Sequence, residues 1–131
     1  MALFSRNTEA PLITLTNCDD AASESGIEFV EWSRNKPCVL YAKDKKNRIH
    51  IWDLSVSDIF PVCTIPFKDE INFMKLSPNI TKDENVKRSY MVLISNTFNV
   101  NLYILNKDHG QQNPADYDIN VKKFLNYVNR L

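Results

Sequence analysis

Ile49-His50-Ile51-Trp52-Asp53-Leu54 is the stretch whose reading decides the fold. It is β-prone, holds neither glycine nor proline, and closes on Trp-Asp. Upstream lies Cys38–Ala42 (CVLYA), another β-prone run, with no polar face at all. The turn Asp44–Arg48 (DKKNR) connects the two, so they read as a hairpin. Ile27–Ser33 (IEFVEWS) precedes them as a third strand. Pro61–Phe67 (PVCTIPF) follows as a fourth, placed at a sheet edge because Pro61 and Pro66 have no amide hydrogen for a ladder.

Outward from this unit the pattern recurs in outline. Ile71–Leu76 (INFMKL) is a strand, Ser77–Ser89 a polar insert, and Tyr90–Ser95 with Asn99–Leu105 a hairpin around Asn96–Phe98. Toward the N-terminus, Met1–Arg6 and Leu12–Thr16 read as strands, and the small, acidic Asn17–Gly26 as a loop. After Asn106–Pro114 the period changes. Tyr117, Val121, Phe124, Val128 and Leu131 step by four and three, which predicts an amphipathic helix over 116–131 with Asp116 or Asp118 as N-cap. Strands apolar on both faces require cover on both sides. With one helix available, stacked antiparallel sheets supply most of that cover.

The two units, Ile27–Phe67 and Ile71–Leu105, have a period of roughly forty residues, that of a WD repeat. Trp52-Asp53 stands where such a repeat carries its Trp-Asp pair, and the second unit has Asn101–Leu105 at the matching place with the pair lost. The run Val30-Glu31-Trp32-Ser33, then Pro37-Cys38-Val39-Leu40, resembles a segment of dynein intermediate chains. Asp44, the IHIWDL strand, Ser57-Asp58 and Pro61-Val62 continue that likeness, which is strongest to the intermediate chain of cytoplasmic dynein 2, the motor of retrograde intraflagellar transport. There are departures. Arg34 stands where the family has proline. No Gly-His pair precedes the first strand of either unit, so the usual WD-repeat hydrogen-bond tetrad is not expected.

The resemblance implies an all-β fold, a partial WD40 β-propeller of about two blades with strands of a preceding blade, ending in an α-helix. Residues 1–16 would be the preceding blade's last strands, 27–67 a complete blade, 71–105 a degenerate final blade, and 116–131 the helix. Trp32, Asp44, Trp52 and Asp53 would be its structural residues. The implied role is a non-catalytic scaffold whose partners are the dynein heavy chain and a second intermediate chain, with light-chain sites upstream and absent here. The implied location is the cytoplasm, cytoskeleton and cilium, at the axoneme or basal body. An intermediate chain of axonemal or general cytoplasmic dynein is the nearest alternative. A small self-contained β domain with an enzymatic site is the alternative of another class.

Composition sets further bounds. Of 131 residues, 44% are hydrophobic and 24% charged, which fits a folded chain. Lysine plus arginine and aspartate plus glutamate each number 16, so no basic excess exists to neutralise phosphates, and no nucleic-acid partner is expected. No apolar run approaches a membrane span, and MALFSRNTEAP lacks a secretory apolar core. Cys18, Cys38 and Cys63 form no CxxC pair, and His50 and His109 lie far apart, so neither a structural zinc nor any other cofactor is expected, and the compartment reads as reducing and intracellular. With only two glycines there is no phosphate loop. Cys38, Cys63 and His50 fall on packed strands, where a core role outweighs a nucleophilic one. Lys45, Lys46 and Arg48 in the hairpin turn, and Phe124 and Val128 on the helix, are the candidate partner-binding residues. Solvation for the cations and intramolecular docking for the stripe are the plainer readings.

Overall fold

The computed structural model describes residues 1–3, 6, 9–15, 26–78, 80–83, 86–105, 111–112 and 114–131. Its centre is a four-stranded antiparallel meander: β3 (Ile27–Trp32), β4 (Val39–Asp44), β5 (Arg48–Asp53) and β6 (Cys63–Pro66), paired in that order. β6 lies at the edge, as expected, and holds Pro66 but not Pro61, which precedes the strand. A second sheet holds β7 (Ile71–Leu76), β10 (Tyr90–Ser95) and β11 (Val100–Ile104), with β10 central. β1 (Ala2–Leu3) pairs with β2 (Ile13–Thr14). Among the described residues one helix, α1 (Pro114–Arg130), follows the strands.

All six residues of β4 are buried, and this two-sided burial organises the molecule. On one face Val39, Tyr41, Ile49 and Ile51 meet Ile71, Met74, Leu76, Met91 and Leu93 of the second sheet. On the other face Leu40, Trp52 and Leu54 are covered by Leu15, Tyr127 and the partly buried Met1, Leu3, Ile13, Phe124 and Val128. Trp32, also predicted to lie between sheets, sits at the rim of this second cluster. Its ring meets Phe124 edge-on at 5.7 Å, and its indole donates to the Pro37 carbonyl at 2.9 Å. Both tryptophans thus face the helix and the short β1–β2 pair rather than a neighbouring blade. The helix brings a continuous apolar stripe that a two-residue strand cannot match.

Two bulges adjust the two stacked sheets. The β3–β4 register passes from Ile27↔Asp44 to Phe29↔Lys43, leaving Glu28 as the extra residue. Its carboxylate ion-pairs with the ammonium of Lys43, a side chain only 2% exposed. In β7, Asn72 is the extra residue between the pairs Ile71↔Ser95 and Phe73↔Ile94. Between the sheets, Phe29 meets Phe73 at 6.4 Å and Lys75 pairs with Glu31 at 2.8 Å.

Asn47 carries the junction. Its φ of 63° is a left-handed conformation that asparagine tolerates better than most residues. Its amide nitrogen donates to the Phe67 and Asp69 carbonyls at 2.8 and 2.7 Å, and its oxygen accepts from the Ile71 amide at 2.8 Å. One side chain therefore ties the hairpin tip of the first sheet to the start of the second.

Several expected boundaries shift. The turn after β4 spans only 45–47, because Asp44 and Arg48 both belong to strands. The insert Ser77–Ser89 holds a hairpin, β8 (Ile80–Asp83) with β9 (Val86–Arg88), and β12 (Gln111–Gln112) from the expected 106–114 loop adds to β9. These strands are polar in sequence and gave no hydrophobic period. Pro114 is the first residue of the helix, a position that suits its missing amide hydrogen, so Asp116 and Asp118 lie inside α1 rather than capping it. Phe4 and Ser5 of the expected first strand, Thr16 of the second, residues 17–25 of the acidic loop, and 106–110 lie outside the described residues.

Trp52, 1% exposed, is expected on truncation to alanine to cost about 3–5 kcal/mol in denaturant unfolding. Asn47→Gly keeps the backbone conformation but removes three hydrogen bonds. It is expected to cost about 2–4 kcal/mol, a loss that an exposed control such as Val56→Ala does not show.

Candidate functional site

The most organised polar constellation lies on the helix-facing side of the first sheet, at the turn end of the β4–β5 hairpin. Cross-strand pairing places Ala42 opposite His50, and His50 opposite Thr64. Asp44, fully buried, accepts from the Arg48 amide at 2.9 Å and from Arg48 Nε at 2.8 Å. The same carboxylate lies 2.9 Å from His50 Nε2, and His50 Nδ1 lies 2.9 Å from Thr64 Oγ1. A carboxylate can only accept, so Nε2–H donates to Asp44, while Nδ1 and the Thr64 hydroxyl share the second hydrogen bond.

Desolvation opposes the charge on Asp44, but the His50 bond and the Arg48 amide and guanidinium together outweigh it. They hold its carboxyl below the ordinary carboxylate range. A polar set thus forms despite the missing Gly-His pair. It draws its histidine from the adjacent strand of the same sheet, which strand register allows and sequence spacing concealed.

Thr64–His50–Asp44 has the order of a nucleophile, a base and an orienting acid. Its surroundings differ from those of a reaction centre. His50 is 2% exposed, and the cleft of about 480 Å³ between α1 and the β5–β6 connection is lined by Ser55, Lys123, Asn126, Tyr127 and Arg130 instead. Among the described residues neither Cys38 nor Cys63 completes a nucleophilic pair. Burial, reinforced by Asp53 and partly offset by Lys123, pushes the Cys38 thiol up to about 11, and its sulfur lies 3.8 Å from the Asn120 carbonyl. Such a thiol is almost wholly protonated at neutral pH. Burial, with the Asp58 carboxylate nearby, also raises the Tyr127 hydroxyl. Among the described residues no group of three or more His, Cys, Asp or Glu side chains is arranged to hold a metal ion. Cys18 and His109 lie outside the described residues.

The other singled-out residues separate clearly. Asp53 ends β5, where its Oδ1 accepts from the Ser55 amide at 3.0 Å and hydroxyl at 2.6 Å, turning the chain. Ser33 does the same after β3, accepting from the Asn35 and Lys36 amides at 3.3 and 3.1 Å. That turn and the Trp32–Pro37 bond account for the Trp-Ser-x-x-x-Pro segment. Lys45 and Lys46 are exposed at the hairpin tip. Arg48, grouped with them as a partner contact, is committed to Asp44 instead. Phe124 and Val128, the candidate contacts on the helix, pack into the chain's own second cluster, so the stripe serves this fold.

Stacked antiparallel sheets that do not close among the described residues, with one C-terminal helix, are consistent with part of a β-propeller. Over 77 residues the chain is 27% identical to cytoplasmic dynein 2 intermediate chain 1 of Mus musculus, a match covering 58% of this chain. The chain spans only about 7% of that relative's length. No protein-family model matches. Among the described residues no helix is long and apolar enough to cross a membrane.

The Asp44 set makes a pH prediction with a definite sign. A carboxyl whose folded value lies below its unfolded one stabilises the fold fully above the unfolded value, near 4. That contribution is lost as pH falls through the lower, folded value. Asp44→Asn is expected to cost about 3 kcal/mol at pH 7. It should also flatten the acid limb of stability below about pH 4, as read by urea unfolding across pH.

Proposed function

We propose that this chain is a non-catalytic binding module, the WD-repeat part of a dynein intermediate chain. The observation that carries this reading is the similarity to a dynein 2 intermediate chain in a chain whose Trp52-Asp53 strand lies inside a stack of two antiparallel sheets. The similarity favours dynein 2 over the axonemal and general cytoplasmic intermediate chains. On this reading the partners are the dynein heavy chain and a second intermediate chain. The role is retrograde intraflagellar transport and cilium assembly, and the place is the cytoplasm, cytoskeleton and cilium.

The Asp44–His50–Thr64 set is read as a structural pin rather than a catalytic device, because it is buried and the open cleft lies elsewhere. Exposed Lys45 and Lys46, on the hairpin tip, remain the candidate contacts for an acidic partner surface.

The test is affinity capture of the tagged chain from ciliated cells, with quantification of dynein 2 heavy chain against the heavy chain of the general cytoplasmic motor. Selective recovery of the dynein 2 heavy chain is expected. A Lys45→Glu, Lys46→Glu variant should weaken recovery several-fold while leaving the melting temperature unchanged. Recovery of neither heavy chain overturns the dynein reading.

A further inference from the structure

The cleft of about 480 Å³ beside α1 is not used by the buried Asp44 set, and its size lies within the range of roughly 300–1,000 Å³ that ligand sites occupy. One wall is helical. Lys123, Asn126, Tyr127 and Arg130 step by three, one and three, so they share one face of α1. Ser55, on the β5–β6 connection, stands across from them.

Each helical residue of that wall brings a hydrogen-bond donor. Lys123 carries an ammonium and Asn126 a side-chain amide, both exposed at the rim. Arg130 gives its Nε to the Asn126 carbonyl at 3.3 Å, which leaves both terminal nitrogens. Tyr127 is the floor. It is 7% exposed, and its buried hydroxyl meets no partner at bonding distance among the described residues. Burial and the Asp58 carboxylate raise that hydroxyl, so it keeps its proton at neutral pH and stands as a donor. Among the described residues neither Lys123 nor Arg130 forms an ion pair. The lining holds these two cations and no carboxylate. Asp53, whose field reaches Cys38 together with that of Lys123, is already engaged by the amide and hydroxyl of Ser55.

We infer that this cleft binds a phosphoryl group. The inference is independent of the dynein reading. Two cations match the charge of about −2 that a phosphomonoester carries near neutral pH. The guanidinium spans two of its oxygens, and the ammonium meets a third as a point charge. A carboxylate has only two oxygens and leaves one of these cations unanswered. The buried Tyr127 hydroxyl adds a donor whose missing partner is a cost that an incoming oxygen removes. The source of the group is either free phosphate or a phosphoserine side chain. Val56, Ile59 and Phe60, 55–71% exposed, lie on the connection that walls the cleft and offer apolar contact to residues flanking a phosphoserine. Val100, Leu102 and Ile104 of β11 are as exposed, at 63–66%, but bring no side-chain donor and select no ligand.

Amide chemical-shift titration of the full chain with inorganic phosphate at neutral pH, ionic strength held constant with chloride, tests the inference. Saturable shifts at Ser55, Lys123, Asn126, Tyr127 and Arg130 are expected. Lys123→Gln and Arg130→Gln should each weaken binding about tenfold, the loss of one charge-assisted contact. Tyr127→Phe keeps the packed ring and should weaken it about threefold or more. Lys122→Gln removes the same charge from the same helix outside the cleft and should leave binding unchanged. Circular dichroism melting confirms that each variant is folded. A phosphoserine peptide that binds more tightly than inorganic phosphate assigns the site to phosphoserine, and one that binds equally or more weakly assigns it to the free anion. Absence of saturable shifts up to about 50 mM phosphate overturns the inference. A loss with Lys122→Gln equal to that with Lys123→Gln overturns it as well, since it marks unspecific attraction. So does a serine peptide that binds as tightly as its phosphoserine counterpart. Heavy-chain recovery can succeed or fail independently of all these outcomes.

Discussion

Strand β4 buries every one of its residues, and its demand for cover on both faces sets what the remainder of the chain must do. One face is met by a second sheet, contributed by the following forty residues. The other is met by pieces from the two ends of the sequence, β1–β2 and α1, which meet over Trp52. Burying the end of such a strand leaves its polar groups to be satisfied. Asp44 answers this by gathering Arg48 and His50, and His50 passes the contact on to Thr64 at the edge. The hydrophobic and polar parts of the first sheet are therefore one arrangement: the apolar rows exclude water, and exclusion makes the hydrogen-bonded set worth conserving its geometry.

The relation between the sheets is held at three kinds of contact. The cluster containing Tyr41, Met74 and Leu93 supplies non-directional attraction. The Asn47 side chain supplies direction, since three hydrogen bonds from one residue leave little choice in how β7 begins. The Glu31–Lys75 pair and the Phe29–Phe73 contact close the near edge. Their individual worth is small beside the buried cluster, but they act where a slip of register would otherwise turn Met74 outward.

Among the described residues the polar groups that could carry chemistry are enclosed by this packing. The Cys38 thiol is deprotonated only far above neutral pH, and His50 is sealed. What the chain offers to other molecules is surface: two exposed lysines at a hairpin tip, an apolar sheet face and the cleft beside α1.

The strands around Trp52 were legible in the sequence because their apolar residues carry the period themselves. Ile71–Leu76 and Tyr90–Ser95 fall where they were expected, and the helix departs by only two residues at its start. The β8–β9 hairpin and β12 were not legible, because polar strands carry no hydrophobic period. Of the polar site, the sequence by itself determined the position of Asp44 at the β4–β5 turn and the buried character of His50. It could not determine that they would be partners, since the usual Gly-His pair was absent and a six-residue separation around a hairpin depends on register. Only the tertiary structure decided that, along with the staple made by Asn47 and the assignment of α1 to the face expected for a blade. The physical reason is common to all three. Periodicity reports that a face must be covered, whereas the identity of the cover depends on which distant segment can reach it with its own polar groups satisfied.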